Sequence, residues 1–156
     1  MKKSKGLLII CIAIPLLVGF FSALLTRQSM ATFATLNKPP LSPPGILFPI
    51  VWTILYTLMG IGSYLVLTSD GSEKDMQQAF VVYGIQLAVN FLWSTFFFNF
   101  GWYLFSLLWL VLLWVLIFIM LKRFYEVSKV AAYINIPYLL WVTFAGYLNL
   151  GIYLLN

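Results

Sequence analysis

Aromatic and amide side chains at helical spacing are the residues of this sequence best suited to contact a ligand. Gln86, Asn90 and Trp93 are separated by four and then three positions, which places them on one face of an α-helix. Amides in an apolar stretch need hydrogen-bond partners, so this face must point toward other helices or toward a ligand cavity. Both roles, interhelical hydrogen bonding and ligand contact, are open for each amide.

Two further stretches carry a similar mixture of aromatic and polar side chains. Trp52 and Tyr56 stand four positions apart, so both rings share one helix face. Near the end of the chain, the residues from Trp141 onward fall at positions i, i+4, i+7 and i+8. That second set, with the polar residues just before it, comprises Asn135, Tyr138, Trp141, Ala145, Leu148 and Asn149. Pro137 is expected to kink its helix and to widen the space beneath it.

The absence of certain residue types limits the reactions that this chain could catalyse. The chain has no histidine, and its four carboxylates all lie outside the apolar stretches, so acid–base catalysis lacks its usual groups. A bound haem would find no histidine ligand, and Cys11 is the single cysteine, so no metal site is predicted. Indole, phenol and amide groups instead suit a flat aromatic guest, and any further chemistry would come from the guest.

The apolar composition predicts an all-α integral membrane protein. Hydrophobic residues make up 63% of the 156 positions and charged residues only 8%. A chain of this composition has more apolar surface than a small soluble core could bury. A membrane-spanning helix needs about 20 apolar residues, and unsatisfied backbone groups are excluded from hydrocarbon. We therefore predict one domain, a bundle of five transmembrane helices at about 6–26, 46–68, 76–100, 101–121 and 130–155.

Charge placement predicts the orientation of this bundle. Five spans put seven of the nine Lys and Arg residues on the side of the N-terminus and leave only Arg27 and Lys38 on the other. The positive-inside rule then places the N-terminus inside and the C-terminus outside. Without an arginine-rich presequence, a bacterial cell membrane is expected. The net charge of +5 is explained by this topology and by lipid headgroups, and no clustered basic face predicts nucleic-acid binding.

The connection between the first two spans, residues 27–45, is rich in proline and is interpreted as a lid. Five of the seven prolines fall between Leu36 and Met59; proline excludes helix upstream of itself, so a helix can begin only near Pro44 or Pro49. The alternative is a plain solvated linker. The apolar residues of the connection favour packing onto the bundle; they are Met30, Phe33, Leu36 and Leu41.

A pair of small residues predicts a contact with a second copy of the chain. Gly84 and Ala88 form a small-xxx-small pair, which lets transmembrane helices approach closely. Gly84 lies about 200° around the helix from Gln86, so this pair is on the face opposite the amides. A homodimer through this face is the resulting hypothesis.

Three segments together resemble the TspO or translocator-protein family in order and spacing. They are KPPLSPPGILFPIVWTILYTLMG, QLAVNFLWSTFF and PYLLWVTFAGYLNLGIYLLN, and the likeness covers nearly the whole chain. The resemblance implies five transmembrane helices, frequent dimers, and a cavity closed by the loop between helices one and two. It also implies binding of a tetrapyrrole such as protoporphyrin, with no further cofactor. Matching pocket positions are Trp52, Asn90, Trp93, Trp141, Ala145 and Leu148.

The resemblance leaves three functions open: a tetrapyrrole receptor or carrier, a light-dependent porphyrin-degrading enzyme, and a structural membrane-assembly protein. If the chain degrades porphyrin, Trp52 and Trp141 match the tryptophans that some bacterial members use. Thr32, Phe33 and Leu41 depart from the tryptophan or tyrosine of many members, and no basic residue follows Tyr153, which argues against a sterol motif. The predicted ligand-binding residues are Phe48, Trp52, Tyr56, Gln86, Asn90, Trp93, Tyr138, Trp141, Ala145, Leu148 and Asn149.

Overall fold

The computed structural model describes all residues from Met1 to Asn156 and is entirely helical. The α-helices are α1 (Lys5–Thr26), α2 (Met30–Ala34), α3 (Leu47–Leu67), α4 (Glu73–Ser94), α5 (Tyr103–Val127), α6 (Lys129–Tyr133) and α7 (Ile136–Leu155). Five helical stretches are long and apolar enough to cross a membrane: Lys5–Ala34, Leu47–Leu67, Glu73–Asn99, Tyr103–Val127 and Lys129–Leu155. The predicted class, an all-α integral membrane protein with five spans, is confirmed.

Several helices extend beyond their uncharged stretches because polar residues cap or continue them. The Ser72 hydroxyl accepts a hydrogen bond from the Asp75 amide at 3.1 Å, so α4 begins at Glu73 rather than near Met76. Arg123 and Glu126 form an ion pair at 3.3 Å on the last turns of α5, which continues to Val127. Counting apolar residues alone misses these polar turns.

The connector, residues 27–46, is partly helical. A 3₁₀ turn (Arg27–Ser29) and the short helix α2 continue from α1, and only the proline-rich part after them is non-helical before α3 begins at Leu47. Leu41 is 83% exposed and has a φ of 69°, a left-handed conformation that is uncommon for leucine. The expectation that Leu41 packs onto the bundle is therefore wrong, because this turn directs its side chain outward.

The last span is broken rather than kinked. Helix α6 ends at Tyr133 and α7 begins at Ile136, with Pro137 in its first turn, where a proline interrupts no intrahelical hydrogen bond. The fully buried Asn135 lies between them, and its Nδ2 donates to the Ala131 carbonyl at 2.9 Å. The expected proline kink is thus replaced by an asparagine-supported break.

The bundle is held by close helix contacts around a common core. Helix α1 packs along α3 and against α4, and α5 packs behind α4 and α7. The end of the bundle that carries the connector is called the roof end below, and the opposite end the base end. A close approach between two backbones occurs at Gly60, where a Cβ atom would collide with the backbone of Cys11 and Ile12 in α1. Small residues permit such backbone contact in membranes.

Replacing Gly60 by alanine is expected to lower the free energy of unfolding by about 1–3 kcal/mol, because α1 must move away from α3. The apparent melting temperature of the purified protein in nonionic detergent measures this effect. Gly6→Ala is the matched control, since a Cβ atom at helical Gly6 meets nothing within 4 Å. Equal melting temperatures for Gly60→Ala and the wild type would contradict the close packing of α1 on α3.

Candidate functional site

A cavity of about 760 Å³ lies between α1, α3, α4 and α7 beneath the connector. This volume is within the range of about 300–1,000 Å³ that small-molecule sites occupy. Helix α5 contributes no lining residue and supports α4 and α7 from behind. Eight of the predicted ligand-binding residues line the cavity: Phe48, Trp52, Tyr56, Asn90, Trp93, Trp141, Ala145 and Leu148.

Aromatic rings form most of the cavity wall on the sides of α3, α4 and α7. Trp52 stacks on Tyr56 with 5.4 Å between ring centroids, as their spacing of four on α3 predicts. Phe48 meets Trp141 across the gap between α3 and α7, edge to face at 6.0 Å. Trp93 stacks on Phe97 at 5.2 Å. Such a wall offers flat π-faces to a guest and few polar groups.

A hydrogen-bonded network of four side chains forms the floor of the cavity. The Tyr56 hydroxyl donates to Asn90 Oδ1 at 3.0 Å, and Asn90 Nδ2 donates to the Tyr138 hydroxyl oxygen at 2.6 Å. The Tyr138 hydroxyl in turn donates to Gln86 Oε1 at 2.7 Å. The network ties α3, α4 and α7 together and satisfies polar groups that hydrocarbon would leave unpaired.

Three of the predicted ligand-binding residues lie outside the cavity wall. Gln86 and Tyr138 are fully buried below Asn90 in the floor network. Asn149 is also buried; its Oδ1 accepts from Trp93 Nε1 at 3.2 Å, and its Nδ2 donates to the Tyr103 carbonyl at 2.9 Å. For Gln86 and Asn149 the structure therefore gives interhelical hydrogen bonding. Of the three amides, only Asn90 both joins helices and faces the cavity.

The sequence interpretation missed the contribution of α1. No residue of α1 was predicted to contact a ligand. Gly19 serves close packing, because a Cβ atom there would collide with the Tyr56 ring, and it also lines the cavity. Ser22, Ala23 and Thr26 continue along the same helix and line the cavity. Small side chains at helical spacing can either line a cavity or allow a neighbouring helix to approach closely. Which of these occurs depends on the positions of the other helices.

A π-helical turn, Thr95–Asn99, extends α4 and brings additional aromatic rings to the site. The Phe100 amide donates to the Thr95 carbonyl at 3.1 Å, an i to i+5 hydrogen bond that shifts the following side chains around the helix. As a result, Phe97 and the adjacent Phe98 both line the cavity. Such turns are frequent at functional sites, and helical spacing alone does not reveal them.

The connector covers the roof end of the cavity and is fastened on both sides. On the α7 side, the Tyr147 hydroxyl donates to the Pro40 carbonyl at 2.6 Å, and the Pro39 ring packs against Gly151. On the α4 side, the Phe33 ring meets Phe98 edge to face at 5.2 Å. Phe33 and Met30 line the cavity from above. These contacts describe a lid and not a solvated linker.

The Trp141 side chain lines the cavity, but its Nε1 is buried within the protein and has no hydrogen-bond partner there. A buried donor without an acceptor is costly. Since the nitrogen itself has no exposed surface, Trp141 offers its ring, and not its N–H, to the cavity. No group of three or more His, Cys, Asp or Glu side chains lies together anywhere in the structure.

Comparison with known proteins gives consistent matches along the chain. The model of the TspO/MBR family matches residues 11–155. The Tryptophan-rich protein TspO of Chlorobaculum tepidum is 40% identical over 100% of this chain and 99% of its own length. Protein CrtK of Rhodobacter capsulatus is 37% identical over 81% of this chain and 79% of its own. The Translocator protein of Bos taurus is 36% identical over 87% of this chain and 82% of its own length.

Proposed function

The chain belongs to the TspO/MBR family, and we propose that it is a membrane receptor or carrier that binds a protoporphyrin-like tetrapyrrole. The observation that carries the proposal is the covered cavity of about 760 Å³ with Trp52, Trp93 and Trp141 in its wall. A tetrapyrrole is planar and apolar over most of its surface, so it matches a pocket of aromatic faces with few polar groups.

In this proposal the residues of the chain bind the guest without transforming it. Trp52, supported by the Tyr56 ring beneath it, supplies a π-face for stacking. Trp141, whose ring also lines the cavity, supplies a second π-face. The floor network holds α3, α4 and α7 at a fixed separation, which keeps the cavity open for a rigid molecule.

Titration of the purified protein with protoporphyrin in darkness tests this function. Tryptophan fluorescence in nonionic detergent is expected to be quenched to saturation at about one porphyrin per chain, since the cavity holds several indoles. N-acetyltryptophanamide in the same detergent corrects for absorption by the porphyrin. Quenching that rises linearly without saturation would contradict the proposal and would favour a structural role in membrane assembly.

A second function, light-dependent porphyrin degradation, is supported by one specific feature. Trp52 and Trp141 both line the same cavity, so a bound porphyrin that is excited by light would lie next to two oxidisable indoles. The porphyrin supplies the photochemistry, and the protein supplies the indoles and their position.

We further propose the orientation that the charges favour. Seven Lys and Arg side chains lie at the base end, on or beside the start of α1, the start of α4 and the junction of α5 with α6. Only Arg27 and Lys38 lie at the roof end. By the positive-inside rule, the base end faces the cytoplasm of a bacterial cell and the cavity roof faces outward.

A homodimer through α4 is proposed from its unoccupied small-residue face. Gly84 and Ala88 are both exposed, beside the apolar side chains of Val81 and Ile85. A Cβ atom at Gly84 would meet nothing within 4 Å, which leaves room for a partner helix. Ala88→Cys in mild detergent is expected to yield a crosslinked dimer, and recovery of monomer alone would contradict it. Cys11 is buried, so Cys11→Ala serves as the background for this experiment.

A further inference from the structure

The roof end of the cavity differs from the rest of its wall because it carries positive charge. Arg27, in the 3₁₀ turn after α1, and Lys38, in the connector, both line the cavity. They are the only Lys or Arg side chains at this end of the bundle. The four acidic side chains lie at the base end, on or beside α4 and α5: Asp70, Glu73, Asp75 and Glu126. An anionic group under the roof therefore meets two cations and no carboxylate side chain.

The two cations differ in how far the protein itself engages them. Lys38 Nζ donates to the Phe33 carbonyl at 3.2 Å and to the Leu36 carbonyl at 3.3 Å, and it lies 4.9 Å from the centre of the Phe33 ring. The Arg27 guanidinium has no hydrogen bond or ion pair to another side chain, and the single ion pair of the molecule is Arg123–Glu126. Arg27 is thus the cation that is free to bind a guest.

Two hydroxyl groups near these cations are already committed to the backbone. Thr26 Oγ1 donates to the Ser22 carbonyl at 3.0 Å, and Ser42 Oγ donates to the Pro39 carbonyl at 2.7 Å. The Ser22 and Ser94 hydroxyls also line the cavity, but they are neutral, so charge-assisted recognition of an anion under the roof falls to Arg27 and, secondarily, to Lys38. A guanidinium is suited to this task because its fork binds a carboxylate through two parallel hydrogen bonds.

We propose that the roof end of the cavity is an anion subsite, in which Arg27 binds a carboxylate of the guest and Lys38 adds a second positive charge. The inference rests on the proposed function and makes it more specific: the guest is a planar apolar molecule with carboxylates on one edge. That edge lies under the connector, and the apolar remainder of the ring lies against Trp52 and Trp141. This arrangement fixes the orientation of the guest in the cavity, with its carboxylates toward the roof end.

Comparison of protoporphyrin with its dimethyl ester tests the subsite without any mutation. The two compounds share the macrocycle and differ in the charge of the two carboxyl groups. Wild-type protein in nonionic detergent, titrated in darkness, is expected to bind the free acid about tenfold more tightly, as charge-assisted hydrogen bonds to an arginine would provide. Raising the salt concentration from 0.05 to about 0.5 M is expected to reduce this preference by screening.

Variants of Arg27 assign the preference to this residue. Arg27→Gln is expected to weaken binding of the free acid about five- to tenfold and to leave binding of the ester within about twofold. Arg27→Lys keeps the charge and is expected to retain most of the preference. Arg123→Gln is the matched control, since it removes an exposed cation at the base end and should change neither affinity.

The outcomes separate the subsite from the function on which it rests. If free acid and ester bind the wild type equally, or if Arg27→Gln weakens both to the same degree, the anion subsite is wrong while tetrapyrrole binding stands. If neither compound binds saturably, the proposed function itself fails, and the subsite fails with it.

Discussion

Replacing Ala23 by tryptophan is expected to lower the affinity for protoporphyrin at least about tenfold. Ala23 lies on α1 and lines the cavity opposite the aromatic wall, so an indole at this position occupies space that the guest requires. Overfilling a packed site costs about 1–3 kcal/mol, and each 1.4 kcal/mol is a factor of ten in affinity. The dark titration by tryptophan fluorescence quenching measures the change.

The neighbouring residue provides the control for this prediction. Leu24 is 44% exposed and lines no part of the cavity, so Leu24→Trp adds the same indole to the lipid-facing side of α1. Its affinity is expected to stay within about twofold of the wild type, well under 1.4 kcal/mol. If both variants bind protoporphyrin as the wild type does, the guest does not occupy the cavity between α1 and α3.

Replacing Trp52 and Trp141 together by phenylalanine is expected to abolish light-dependent porphyrin breakdown while dark binding persists. Phenylalanine keeps an aromatic face at both positions but is much harder to oxidise than indole, so an excited porphyrin loses the two electron donors that are proposed for breakdown. The absorbance of bound porphyrin under illumination, compared with that of free porphyrin in the same detergent, measures breakdown. The expected rate for the double variant is that of the free compound.

The result also decides between the two functions that share this cavity. Trp102 is 51% exposed and lies outside the cavity, so Trp102→Phe should leave breakdown unchanged. If the double variant of Trp52 and Trp141 degrades porphyrin as fast as the wild type, these two indoles are not the electron donors for breakdown. If the wild type shows no breakdown beyond that of free porphyrin, the enzymatic function is wrong.

The fold class followed from the sequence because a bilayer imposes few solutions. Apolar stretches of about 20 residues are long enough to span a bilayer as helices. Because unpaired backbone groups are too costly in hydrocarbon, these stretches must form helices. The helix ends were less predictable, since α4 is capped by Ser72 and begins at Glu73, three residues before the apolar part, and polar turns prolong α5. The break at Asn135 depends on a buried side chain that finds the Ala131 carbonyl, which spacing along the chain does not reveal.

The cavity wall was predictable where one helix face contains several large aromatic or polar residues. Trp52 with Tyr56, and Trp141 with Ala145, share faces that helical spacing fixes. Whether an amide faces a guest or another helix was not predictable, because Gln86 and Asn90 lie one turn apart on the same face of α4. Tyr138 of α7 hydrogen-bonds both amides, but only Asn90 also lines the cavity, and this depends on the arrangement of the helices.

The roof cations show a different limit of sequence interpretation. Arg27 and Lys38 were assigned to topology because positive charges near helix ends usually report orientation. Their place in the cavity wall depends on the fold of the connector, in which a 3₁₀ turn and α2 carry the chain back over the bundle. Charged residues near helix ends lie at the membrane surface. When the connector folds over the cavity at that surface, the same residues also lie next to a bound guest.

The most direct test of this account is an experimental structure of the protein with protoporphyrin bound. We expect density for one planar macrocycle between α1, α3, α4 and α7, stacked near Trp52 and Trp141, with its carboxylates under the connector beside Arg27. Trp52, Trp93 and Trp141 turned outward into lipid, with side chains filling the space between the helices, would contradict it.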